Sequence, residues 1–208
     1  MKRLQHYSND DDPISIFPSE IRKVPKSLED VVRTTKFNKS EIRLLYKGFK
    51  QECPSGAVTE REFQSIYSHF FPHGDCQHYT RFLFRLLDRR KRTYFTFEDY
   101  VQTLSVLIRG TIKEKLQWIF RFYDISDDGK LTKQTFETIL RSLYNLLGPN
   151  SYIHQPVTED TLAKHSAMLF EKLDFQHAGT INFEDFEKYC LCNEQLMHSI
   201  NILSSTAI

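Results

Sequence analysis

Residues Tyr123 to Phe136 read YDISDDGKLTKQTF. Side-chain oxygens fall at every second residue, Asp124, Ser126 and Asp128; Gly129 follows, and apolar Leu131 stands two residues beyond it. A loop with oxygens at positions one, three and five, a sharp glycine turn at six and a backbone carbonyl at seven is built to wrap a hard dication. Position seven is Lys130. Position twelve, where a glutamate would close the coordination shell with both oxygens, is Thr135. The ligand set therefore stops one residue short, while the apolar frame around it, Tyr123, Leu131 and Phe136, can be sought elsewhere in the chain.

That frame recurs. Matching the apolar residue at loop position eight with the aromatic just after position twelve gives Val58 with Phe63, Phe95 with Tyr100, Leu131 with Phe136 and Ile181 with Phe186. Apolar pairs precede three of the loops at one spacing (Phe84 and Leu87, Phe120 and Tyr123, Phe170 and Leu173), and the first copy, with Tyr46 and Phe49, is slightly out of phase. Apolar residues at three-to-four spacing flank the loops, as in Ile42, Leu45, Tyr46 and Phe49, then Phe63, Ile66, Tyr67 and Phe70. One such match arises by chance; four in register do not. The repeat resembles the EF-hand. The expected fold is all-α, four EF-hand repeats paired as two lobes in one compact unit, with position-eight residues forming short antiparallel bridges between paired loops.

The division follows from the same signals. Residues 1–26 carry Asp10-Asp11-Asp12 and are broken by Pro13, Pro18 and Pro25, which reads as a disordered arm. The N-terminal lobe is expected over 27–110, opening with a short helix capped by Ser27 and Asp30 and continuing from Ser40-Glu41 into the first repeat. The C-terminal lobe is expected over 111–192, starting at the capping pair Thr111 and Glu114, with a break at Gly148-Pro149 and a new cap at Thr158. Residues 193–208 are expected to form a final, groove-covering helix and tail.

Composition narrows the function. The chain of 208 residues is 40% hydrophobic and 13% aromatic, enough to bury a core. Its formal charge of +1, with both signs interspersed, gives no push toward nucleic acid, which is not expected as a partner. No apolar run approaches the roughly 20 residues of a membrane span. Lys2 stands where N-myristoylation needs glycine, so that signal is not expected either. Cys53, Cys76, Cys190 and Cys192 read as reduced thiols, and the expected location is cytoplasmic, with membrane association only through a partner. No nucleophile motif, phosphate loop or zinc spacing is present, so no enzyme is expected.

Calcium affinity in such loops follows ligand number and charge. Loop one, Gln51 to Glu62, has Cys53 at position three and Pro54 at four, a poor oxygen set. Loop two, Asp88 to Asp99, places Arg90 and Arg92 at positions three and five within the run Arg89 to Arg92, which repels a cation. That run reads either as a solvated loop freed of its metal, or as a docking patch for an acidic partner or an import signal. Loop four keeps Asp174, Gln176 and Gly179, but has Ala178 at five and the short Asp185 at twelve. Loop three is the best set: Asp124, Ser126, Asp128, the Lys130 carbonyl and Thr135. The expected cofactor is calcium or magnesium, weakly held.

Two blocks, Leu45 to Asp75 and Phe95 to Lys133, resemble the neuronal calcium sensor family, and within it the potassium-channel-interacting proteins. The Cys53-Pro54 loop and the turn Leu107 to Gly110 followed by Lys115 to Trp118 carry the resemblance. It implies a groove that receives an amphipathic partner helix, in that family from a cytoplasmic segment of an A-type potassium channel. On the first repeat the groove wall implied is Leu45, Phe49, Phe63, Ile66, Tyr67 and Phe70. On the second it is Phe82, Leu83, Leu86, Tyr100, Leu104 and Ile108, with Trp118 beyond. Stripes at helical spacing also fill cores, and some of these residues serve there. Leu196, Met197, Ile200 and Leu203 mark a closing helix that covers the groove until a partner displaces it. The alternative is a calcium sensor that switches an enzyme or cytoskeletal partner through loop three.

Overall fold

The computed structural model describes residues 27–148 and 158–205; the side chains of 199 and 201–205 lie outside the description, as do the arm expected over 1–26, the loop after Gly148 and the last three residues. Helix starts follow capping chemistry. Ser27 accepts from the Asp30 N–H to open α1 (Leu28–Thr34). The next helix, α2 (Lys39–Glu52), begins earlier than Ser40-Glu41, because the Asn38 Oδ1 accepts from the Ser40 and Glu41 N–H groups at 2.9 and 3.0 Å while Glu41 accepts from the Asn38 N–H. Thr59 caps α3 (Glu60–Phe70) in the same reciprocal way, and Thr111 caps α6 (Ile112–Tyr123).

The remaining helices are α4 (Gln77–Leu87), α5 (Phe97–Arg109), α7 (Lys133–Leu147), α8 (Glu159–Leu173), α9 (Phe183–Cys192) and α10 (Glu194–Ser205). Four three-residue strands sit in the loops between helix pairs: β1 (Ala57–Thr59), β2 (Tyr94–Thr96), β3 (Lys130–Thr132) and β4 (Thr180–Asn182). β1 pairs antiparallel with β2, Val58 opposite Phe95, and β3 pairs with β4, Leu131 opposite Ile181. All four of these position-eight residues are buried, so each bridge also seeds a core.

One cluster gathers Ile42, Phe49, Phe63, Phe84, Phe95 and Val101; the other gathers Leu116, Phe120, Leu131, Phe170, Ile181 and Phe186. Rings meet edge-on in both, Phe63 with Phe95 at 5.4 Å and Phe120 with Phe186 at 5.6 Å.

The two halves are joined by more than the turn at Gly110. The Asp75 N–H donates to the Asn145 carbonyl at 2.8 Å. Beside it, a side chain on Gly74 would collide with the Leu146 carbonyl, and one on Gly148, at φ +70°, with the His73 carbonyl. Only glycine fits both positions. Arg85 of α4 donates to the Asp124 and Ile125 carbonyls at 2.6 Å and to the Arg121 carbonyl at 2.8 Å, closing the C-terminal end of α6 from the other half. Finally, α10 packs against both α5 and α9, so the last helix spans the halves.

Candidate functional site

Each loop must reverse the chain within a few residues, and the backbone shows how. Position six has positive φ in all four, at Gly56 (81°), Thr93 (70°), Gly129 (77°) and Gly179 (73°). Position four does the same in loops two, three and four, at Lys91, Asp127 and His177. Pro54 occupies that place in loop one, and proline cannot take a positive φ, so loop one winds differently.

In loop three Asp124 is buried and turns inward, accepting from the Gly129 N–H at 2.8 Å and the Asp128 N–H at 3.2 Å. Ser126 and Asp128 are exposed at the mouth, and Asp128 accepts from the Lys130 N–H. Thr135 turns away from this group. Its hydroxyl donates to the Thr132 carbonyl at 2.9 Å and accepts from the Thr132 N–H at 3.0 Å, so position twelve caps α7. The head of the shell fits a calcium or magnesium ion, with two carboxylates and a hydroxyl; the closing bidentate ligand is missing. Among the described residues no group of three or more His, Cys, Asp or Glu is arranged to hold a metal.

Loops two and four fill their own seats. Arg92 of loop two turns inward, its guanidinium paired with Asp99 at position twelve and 4.0 Å from Asp88 at position one, while Asp88 also accepts from the Arg92 and Thr93 N–H groups. Arg89, Arg90 and Lys91 face solvent. Of the four cations in the run, a single guanidinium stands where the ion would. In loop four the Gln176 amide donates to Asp185 at 2.7 Å, joining positions three and twelve directly, and Asp174 accepts from the Ala178 and Gly179 N–H groups. Loop one is tied by Lys50, whose ammonium donates to the Pro54 carbonyl, and its position-twelve Glu62 turns back to cap α3. These internal donors were not legible as such: the spacing marks the missing oxygens, but not which side chain folds inward.

The residues suggested for a groove fall into four groups. Phe49 and Phe63 are buried in the N-terminal core, while Leu45, Ile66, Tyr67, Leu83, Tyr100, Leu104 and Ile108 are half-buried against it. Phe70 is 74% exposed and Phe82 half-buried. Leu86 and Trp118 line a separate, largely polar cleft, with Trp118 stacked on Phe122. On α10, Ile200 is buried in the C-terminal core, Met197 packs against it and Leu196 is 39% exposed; the Leu203 side chain lies outside the described residues.

Cys53 lies in the N-terminal core and Cys190 in the C-terminal one, and burial there pushes both thiols up to about 11. All four cysteines are free. Among the described residues no helix is long and apolar enough to cross a membrane.

EF-hand pairs are typically regulatory, non-catalytic modules that bind calcium. Residues 113–191, from α6 through α9, match the family described as the EF-hand domain pair, and this part of the chain is therefore an EF-hand pair.

Proposed function

We propose that this is a non-catalytic EF-hand regulatory protein, akin to the potassium-channel-interacting branch of the neuronal calcium sensors, whose apolar face receives an amphipathic helix with little calcium control. The observation that carries this reading is α10: an amphipathic helix of the chain itself lies against α5, which bears Tyr100, Leu104 and Ile108. A face that takes one such helix suits another of similar pattern, and half-buried aromatics beside exposed Phe70 supply the area. A cytoplasmic segment of a voltage-gated potassium channel is the partner proposed. Truncation after Asn193 tests the reading. Removing α10 should tighten binding of a peptide from such a segment by about tenfold, as expected when a competing helix worth roughly 1.4 kcal/mol is lost. Unchanged or weaker binding would count against it.

The second reading, a calcium sensor acting through loop three, is favoured by Asp124, whose inward carboxylate is organised by two backbone N–H groups.

A further inference from the structure

The run Arg89 to Arg92 has no part in the function proposed above. Arg92 is consumed inside loop two, but Arg89, Arg90 and Lys91 are exposed and form no ion pair among the described residues. Arg89 and Lys91 line a cleft of about 810 Å³ between loop two, α5, α6 and the segment after α1. Arg33 and Lys36 line it from one side, Arg85 from α4 and Arg121 from α6. Four carboxylates share the lining: Asp99 is paired with Arg92, which also stands 4.0 Å from Asp88 and so offsets one of their two charges, and Glu114 is paired with Lys36 at 2.7 Å. Of these four, Asp127 alone forms no ion pair among the described residues, and its charge acts on Arg85 in the same lining.

Arg33 is paired with Asp30 and Lys36 with Glu114, whereas Arg89 and Lys91 of loop two and Arg121 of α6 form no ion pair among the described residues. Unpaired cations brought together from separate elements repel one another, and a ligand with several negative charges removes that repulsion. Guanidinium groups match phosphate oxygens two at a time, and an ammonium adds a mobile point charge. Gln102 and Thr103 line the same cleft and offer hydrogen bonds to hydroxyls. A concave site of this size admits a compact ligand, whereas a duplex displays its phosphates along a convex rod.

We propose that this cleft binds a compact polyphosphate anion of the inositol phosphate class, with Arg89, Lys91 and Arg121 engaging its phosphates. The sole tryptophan, Trp118, lines the cleft and reports on it. Titration of the full chain with inositol hexakisphosphate, in chelator to exclude metal, should give a saturable one-to-one change in its emission. The double substitution Arg89→Gln with Lys91→Gln, and separately Arg121→Gln, should each weaken binding by at least about tenfold. Arg61→Gln, an exposed cation outside the cleft, should leave it unchanged. All these side chains are exposed, and an unaltered melting temperature verifies the fold. A second arm uses phosphatidylcholine vesicles with and without phosphatidylinositol 4,5-bisphosphate. Selective sedimentation with the phosphoinositide makes a membrane headgroup the source, and binding of the soluble compound alone makes it a free metabolite. The proposal is overturned by the absence of saturable binding, by an equal loss with Arg61→Gln, or by duplex DNA displacing the compound at lower phosphate concentration.

Discussion

Arg92 stands at position five of loop two, where a metal-binding loop has an oxygen, and its charge does locally what the ion would do. It holds the carboxylates at positions one and twelve in one place without any change in solution composition. Arg92→Ala should destabilise the protein by about 2 kcal/mol, because two largely buried carboxylates would then face each other without a cation. Denaturant unfolding measures this, and a loss near zero would mean that the pair is solvated. Glu114 gives a second prediction. Its hydrogen bond from Lys36 and those from Thr111 lower its pKa from 4.5 to about 2. A depressed carboxyl contributes stability above its unfolded value and loses it as pH falls through the folded one. Stability should therefore drop between pH 4.5 and about 2 more steeply in the native chain than in Glu114→Gln, which keeps the cap. Parallel acid-melting curves would rule this out.

At the scale of the element, the helix–loop–helix repeat was legible because its apolar frame has a fixed register. Val58, Phe95, Leu131 and Ile181 were found by spacing alone, and they are the buried pairs of the two small sheets. The capping residues Ser27, Thr111 and Thr158 were legible for a similar reason, since a cap is a local event. The inward turn of Arg92 and the Gln176 to Asp185 bond were not, because they depend on which rotamer closes a loop. Asn38 was missed in favour of Ser40, as both residue types cap helices well. Thr135 is the element's clearest test. Its hydroxyl is spent on capping α7, and a glutamate in its place reaches the ion and still serves the cap. Thr135→Glu should raise calcium affinity by at least about tenfold in a direct titration. An unchanged affinity would mean that the native loop already binds as a sensor does.

Over the whole molecule, the coupling between halves rests on groups that no local pattern marks. Arg85 reaches three carbonyls around the start of loop three, and Gly74 and Gly148 allow backbones to meet. Lys36 pairs with Glu114 of α6 at 2.7 Å across the halves, and within the N-terminal half Arg109 clamps Glu41 with both nitrogens, at 2.6 and 2.9 Å, fastening α5 to α2. These long-range pairs were invisible in the sequence because residues far apart in the chain carry no mutual spacing. Together they describe a scaffold whose loops are held by internal donors and whose last helix lies across both halves. On the function proposed above, this scaffold, rather than a metal, prepares the apolar face for a partner helix. Calorimetric titration with an amphipathic peptide from a potassium channel cytoplasmic segment, run in chelator and again in saturating calcium, separates the scaffold from the metal. Binding is expected in both conditions, with affinities within about threefold, a difference below 1 kcal/mol. Binding that is seen only with calcium would contradict it.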